Sequence, residues 1–544
     1  MSERPKQPER RLSSVKPGKE PWTEQWASFI GFFIYLLILK SFFLPLFIIP
    51  TGSMAQTLYG AHAMHTCPNC GTEYAVGWQQ PQDWPPSVGF HPLTQCPNCR
   101  WREYTGPEQG LAMRRLLPDS RLEQPLRSAA GDRIFVHGWP FDPLFAGLDE
   151  LGPARWDVVV FKVPTDGQTN YIKRLIGLPG EKIELIDGDV FVNDRLERKS
   201  RQAQRSLWFP YYDQNHPPRR PAAQANYFPR WVPLAGQGAW SGLETRVLRL
   251  DSPGGEPAII QFATDPQRPA EPGLIQDVYA YNEPRADMLW NLVSDVRVAA
   301  EVSVEHWDQA GYIELRLRRG EHSFAARLSA DRRIALTHSV EGDPSALETW
   351  GECAVEPRDQ PLHMALAHVD GMVVVELSGR PALETTPQQY TITPTEAARR
   401  GVERKPVRVQ VAGSGVRAAL RHVRIDRDVY YTSETRGALG YGVQGRPIQL
   451  QADEYFVLGD NSPNSLDARF AFSGPRGDPV GPHLKEAAAR PEGPGRFHPG
   501  TVPRNQLIGR AFFVYWPGFQ PLSPWGADRL PNLLPDLGRV RWIR

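Results

Sequence analysis

Cysteine is scarce in this chain, with five among 544 residues. That is too few to staple a scaffold of this size with disulfides. A dominant charge is also missing. The formal net charge is +1, so no overall field draws the chain to nucleic acid. No repeat of solenoid period runs through it, and no segment reads as a helix-turn-helix. Apolar runs of membrane length are absent save one, from Trp26 to Pro50. Proline, by contrast, is abundant at 53 residues, which favours loops, edges and strands over long helices. The length allows several domains of about 100–200 residues each.

Lys40, Ser41, Ser28 and Tyr35 are the only polar positions in the apolar run. A spanning helix needs about 20 apolar residues. Lys40 can carry its ammonium to an interface, and Pro45 ends the helix near Leu44. The pattern predicts a transmembrane helix over 26–44, with a buried core helix as the competing reading. No small-residue cleavage pattern follows, which argues against a removed signal peptide. Arg4, Lys6, Arg10, Arg11, Lys16 and Lys19 crowd the first 25 residues, and Trp22 and Trp26 sit at belt height. The positive-inside rule then puts the N-terminus in the cytoplasm and the rest outside it.

Beyond the anchor the chain reads as mainly β. Val158-Val159-Val160-Phe161 is a buried-strand run, and Asp187-Gly188 marks a hairpin turn. Strand-like runs recur at 295–304, 312–317, 323–328, 334–340, 364–377, 407–411 and 420–431, with a second hairpin signal at Asp370-Gly371. Short strands at such spacing predict a β-sandwich. The closing run, Val423 to Tyr431, resembles the end of a concanavalin/laminin-G-like jelly roll. No sugar-binding or calcium constellation stands out in it.

Four of the cysteines form two CxxC pairs, Cys67/Cys70 and Cys96/Cys99. That spacing suits a zinc ribbon, with four thiolates closing a tetrahedral structural site. An oxidising compartment favours disulfides instead, so two CxxC disulfides or redox activity are the alternative. His62, His65 and His91 flank the pairs but exceed the ligand count. Cys353 reads as a buried small apolar residue.

Ser53 follows the apolar run directly, in Ile49-Pro50-Thr51-Gly52-Ser53-Met54. A serine needs a base within hydrogen-bond reach to act as a nucleophile. Lysine can be that base only when neutral, which apolar burial promotes. Lys173 sits among Ile172, Leu175, Ile176 and Leu178. In a strand, Ile172 and Arg174 point away from the face that carries Lys173.

These blocks, with Gly131-Asp132-Arg133-Ile134-Phe135-Val136 and Phe456 to Arg469, closely resemble bacterial type I signal peptidase. Val502-Pro503 to Trp516-Pro517 is similar to that family's last core strand. The resemblance implies a Ser/Lys endopeptidase that removes signal peptides from exported preproteins after small residues, with no catalytic cofactor. It implies Ser53 as nucleophile and Lys173 as general base. The oxyanion hole falls to Thr51 and the Ser53 N–H, and Ser465 orients the lysine. Gly459 packs close to the site, and Asp467 and Arg469 form a supporting ion pair. Phe47, Ile49, Pro50 and Ile172 line the small apolar substrate pockets. The chain departs from the family pattern at Gln56, Ser462 and Ala468.

The implied layout is a cytoplasmic tail at 1–25, the anchor at 26–44 and core parts at 45–60, 130–195 and 433–525. A zinc-ribbon-like insertion occupies 61–129, a linker 196–240, a β-sandwich 241–432 and a tail 526–544. The expected setting is the bacterial inner membrane, single-pass, with the lipid bilayer and signal peptides as partners and no nucleic acid. The sandwich leaves room for a protein or glycan ligand. An inactive, membrane-tethered interaction protein is the alternative. A self-cleaving repressor of the same Ser/Lys chemistry lacks its DNA-binding segment here.

Overall fold

The computed structural model describes residues 22–38, 40, 44–79, 89–90, 93–104, 129–138, 152–164, 167–219, 230–254, 256–265, 268, 271–282, 290–341, 343–356, 361–433, 440–472, 498–517, 519–520, 534–535 and 537–543. Most of the expected N-terminal tail, its first 21 residues, lies outside them. So do residues 39 and 41–43 of the expected anchor, His91 and residues 526–533 of the expected C-terminal tail.

The first helix, Trp22–Ile38, has 17 residues, about 26 Å at 1.5 Å per residue. Its first turn spends Thr23, Glu24 and Gln25 on polar positions. Among the described residues no helix is long and apolar enough to cross a membrane. Phe29, Ile30, Phe32, Phe33, Ile34 and Leu37 are nevertheless all exposed.

The central sheet gathers strands from distant parts of the chain. Its order is Leu46–Ile48, Arg133–His137, Leu507–Trp516, Val158–Lys162, Asn170–Gly177, Glu454–Leu458 and Val502–Pro503, with Arg541–Trp542 beside Leu507–Trp516. The pairings are antiparallel. Arg133–His137 alternates, burying Ile134 and Val136, whereas Val158–Phe161 is buried throughout. A smaller sheet joins Lys182–Ile186, Asp189–Val192, Arg195–Leu196 and Ile448–Gln449.

A 13-stranded sheet dominates the middle of the chain. Its two axes are Val296–Arg319 and Arg408–Arg427, paired to each other across three register shifts. The shifts let one strand serve several neighbours in succession. Arg408–Arg427 meets Ala258–Phe262, then Val247–Ser252, then Phe209–Asp213 along its other edge. Residues 295–304 and 312–317 are thus one strand, not two. Residues 196–240, expected as a linker, carry helix Arg201–Leu207 and strands Phe209–Asp213 and Trp231–Ala235 of this sheet. Trp231, Tyr211 and Tyr212 are buried in its core, and such aromatic burial is what a Pro- and Arg-rich composition conceals.

Candidate active site

Ser53 lies in the bend that leaves edge strand Leu46–Ile48, and Lys173 on Asn170–Gly177. Lys173 Nζ donates to Ser53 Oγ at 2.6 Å and to the Ile172 carbonyl at 3.1 Å. Lys173 is only 3% exposed. Its burial comes from the fold rather than from alternation, since Arg174, on the opposite face, is 0% exposed.

Arg174 is held by a residue to which the sequence assigned no role. Its Nε and Nη2 reach the two Asp460 carboxylate oxygens at 2.8 and 2.7 Å, and its Nη1 donates to the Trp156 carbonyl at 2.7 Å. Burial by itself disfavours the charged guanidinium; the Asp460 carboxylate outweighs it and holds Arg174 above its ordinary range. Thr57 Oγ1 also donates to Asp460, at 2.5 Å. One buried carboxylate therefore ties the Lys173 strand to the turn after Ser53.

Asn461, the next residue, grips the backbone at Ser53. Its N–H donates to the Ser53 carbonyl at 3.1 Å and its side-chain amide to the Gly52 carbonyl at 3.0 Å. Gly459 completes the approach: a Cβ there would meet Ser465 Oγ at 2.2 Å and the Ser53 carbonyl at 2.5 Å. The family resemblance implied close packing at Gly459.

Ser465 is buried beside Gly459, but among the described residues its Oγ has no hydrogen-bond partner. The expected bond to the lysine is not formed, because Lys173 Nζ is directed at Ser53 Oγ and the Ile172 carbonyl. Asp467 and Arg469 do pair, with Nε to Oδ1 at 2.9 Å and Nη2 to Oδ2 at 2.7 Å, both fully buried. Asp467 also accepts the Gly459 N–H at 3.1 Å. The departure at Ser462 falls in this network: its Oγ accepts from Arg469 at 2.8 Å and from the Thr432 N–H at 2.9 Å. Ala468 is fully buried.

Phe47 and Ile172 pack, half-buried, on a cluster containing Ile49, Met54 and Leu58. Pro50 is exposed, so of the four expected pocket residues three share one apolar cluster. Thr51 is half-buried in the same bend as Ser53.

The four cysteines converge from two tight turns, in which the Gly71 N–H bonds the Cys67 carbonyl and the Arg100 N–H the Cys96 carbonyl. Cys67 and Cys99 sulfurs are 3.6 Å apart, as are Cys70 and Cys96, and all four lie within 4.8 Å of one another. Four thiolates at about 2.3 Å from a tetrahedral zinc stand roughly 3.8 Å from each other. The spacing fits a metal and exceeds the roughly 2.05 Å of a disulfide. Cys353, expected to be buried, is only half-buried; it packs against the edge of the sandwich core.

Three buried carboxylates, Asp189, Asp295 and Asp370, also converge away from the serine. Lys199 bonds Asp370 and Asp428, Arg400 bonds Asp189, and His368 bonds Asp295. Cations of the chain itself thus face this group.

A model of the family described as signal peptidase, peptidase S26, matches residues 129–229 and 401–516. These stretches are similar to the peptidase S26 family. The match contains Lys173, Gly459, Ser465, Asp467 and Arg469 and leaves out Ser53. The gap between its segments falls on the large sheet. Signal peptidase I of Rickettsia canadensis is 54% identical over 60 residues, 11% of this chain and 23% of the relative. Signal peptidase I of Rickettsia bellii is 27% identical over 177 residues, 32% of this chain and 41% of the relative. The chain therefore spans less than half the length of these curated relatives. A carbohydrate binding module from Bacillus subtilis, 10% identical, covers 36% of this chain and 95% of its own at a TM-score of 0.24. The laminarinase catalytic domain of Thermotoga maritima, 9% identical, covers 41% of this chain and 99% of its own at 0.27. Neither likeness bears on what the sandwich does.

Proposed function

We propose that this chain is a membrane-anchored signal peptidase in which Ser53 is the nucleophile and Lys173 the general base. The observation that carries the reading is the 2.6 Å contact between a buried lysine amine and the serine hydroxyl. As an ammonium, lysine has three donors and no lone pair. Once neutral it can accept the Ser53 proton, and burial favours that form. Ser53 Oγ then attacks the carbonyl after a small residue, and the proton passes from Oγ to Lys173 Nζ and on to the leaving amine. Water, giving its proton to Lys173, hydrolyses the acyl-enzyme and frees Ser53. Donors fixed in advance stabilise the oxyanion; Thr51 and the Ser53 N–H are the candidates. The apolar cluster under Phe47 and Ile172 suits alanine-sized side chains, because a small pocket excludes larger ones.

Supporting roles follow from the same placements. Cys67, Cys70, Cys96 and Cys99 would hold a zinc ion that closes two turns and takes no part in the chemistry. The exposed apolar helix Trp22–Ile38 and the residues after it serve as the anchor. Signal peptides of preproteins presented at a bilayer are the substrates.

The test is processing of a preprotein by the full chain in vesicles. Ser53→Ala and Lys173→Ala should each abolish cleavage at unchanged melting temperature. Cleavage that survives either substitution overturns the assignment.

A further inference from the structure

We propose that the segment 279–282, which belongs to the large insertion, is a positioning element of the catalytic serine, with Asn282 as its positioning residue. The proposal rests on the Ser53/Lys173 reading above.

The geometry is specific. Asn282 Nδ2 donates to Asn461 Oδ1 at 2.7 Å, and Asn461 Nδ2 donates back to Asn282 Oδ1 at 2.8 Å. The second hydrogen of the Asn461 amide goes to the Gly52 carbonyl at 3.0 Å. Both residues are nearly fully buried, at 4% and 0% exposure. An amide can sit either way round at little intrinsic cost. Turned the other way, Asn461 would aim its oxygen at the Gly52 oxygen and break the hold on the Ser53 bend. The Gly52 carbonyl selects the orientation, and Asn282 clamps the amide in it by meeting both its acceptor and its other donor.

The neighbours of Asn282 brace the same bend. Tyr281 lies so close that a Cβ on Gly52 would stand 2.0 Å from its ring. Tyr281 Oη donates to the Ala61 carbonyl at 2.7 Å, and the Gly77 N–H donates to the Tyr281 carbonyl at 3.0 Å. Tyr279 Oη donates to the Asp460 carbonyl at 2.7 Å. Ala280 is buried among the four cysteines, while the Val278 carbonyl accepts from Arg427 of the long sandwich strand at 3.1 Å. Four consecutive residues thus touch the nucleophile bend, the motif that grips it and the cysteine module.

Misplacing a nucleophile by about 1 Å can lower a rate roughly 100-fold. The experiment compares Asn282→Ala, Asn282→Asp, Asn461→Ala and the double alanine variant. Cleavage of a peptide with alanine at −1 and −3 is followed with full-length protein in detergent, alongside melting temperature. Asn282→Asp sets an acceptor-only oxygen against Asn461 Oδ1, and the repulsion displaces the amide that holds the Gly52 carbonyl, so kcat should fall at least tenfold with KM little changed. Asn282→Ala should fall less. The two alanine substitutions should be non-additive, because each releases the same Gly52 contact. If Asn282→Asp folds and keeps wild-type kcat, or if the alanine effects simply add, the positioning role is overturned. Should Asn282→Asp fail to fold, the alanine pair still decides. Activity that survives in a Ser53→Ala control sinks the underlying catalytic reading instead.

Discussion

At the scale of single residues, the same side-chain type has different meanings at different depths. Lys173 and Arg174 are neighbours in one strand, yet one faces a serine hydroxyl and the other a carboxylate. Neither difference is written in local sequence. Asp187 makes the point for carboxylates. It occupies the first turn position of the hairpin between Lys182–Ile186 and Asp189–Val192, with φ 51°. Its side chain is 8% exposed, and burial pushes the carboxyl up to about 6 despite the opposing Arg319 charge and the Tyr430 hydrogen bond. The folded state then holds a proton that the unfolded chain releases near pH 4. Its contribution to stability is full below that value and is lost as the pH rises through about 6. Asp187→Asn keeps the turn chemistry and cannot ionise. Melting temperatures taken between pH 4 and 6 should decline less steeply in the variant. An equal slope would show that Asp187 titrates as an exposed carboxylate.

At the scale of elements, the cysteine module is two short hairpin-like pieces that share little core of their own. Hairpins of this size are marginal in water, and a structural metal can supply the missing stability. Purified protein should contain about one zinc per chain by elemental analysis. Cys96→Ser should lower that content and the melting temperature together. Zinc-free protein with a single free thiol, that of Cys353, would identify disulfides instead. The spacing of the CxxC pairs was legible in the sequence as a ligand pattern. Their contact with Ala280 was not, because nothing in residues 61–129 points to a partner so distant in the chain.

At the scale of the whole molecule, the insertion and the core are interdependent. The strand-rich character of the large sheet was legible from alternating runs and the Asp370-Gly371 turn. Its strand lengths were not, because bulges carry Val296–Arg319 through a stretch that reads as a break. Nor was the reach of Phe209–Asp213 and Trp231–Ala235 into that sheet. The exposed apolar helix at the other end makes a separate prediction. Full-length chain should stay with membranes through alkaline extraction. Removal of residues 1–40 should release it while peptide cleavage in detergent persists. Release of the full chain by alkali would show a peripheral association.

The sequence alone marked the candidate residues that local grammar singles out: Ser53 after an apolar run, Lys173 in an apolar strand, two CxxC pairs and the Gly459 to Arg469 block. Such motifs are legible because each depends on neighbours within a few positions. The tertiary structure decided how those pieces meet. It brought Lys173 to Ser53 and left Ser465 without the expected bond. It gave Asp460 and Asn461 the task of holding the bend, and delivered Asn282 to them from an inserted domain. Contacts of that kind arise from buried pairs with their charges and hydrogen bonds satisfied across the fold. Their selection acts through space, so no periodicity or spacing along the chain records them.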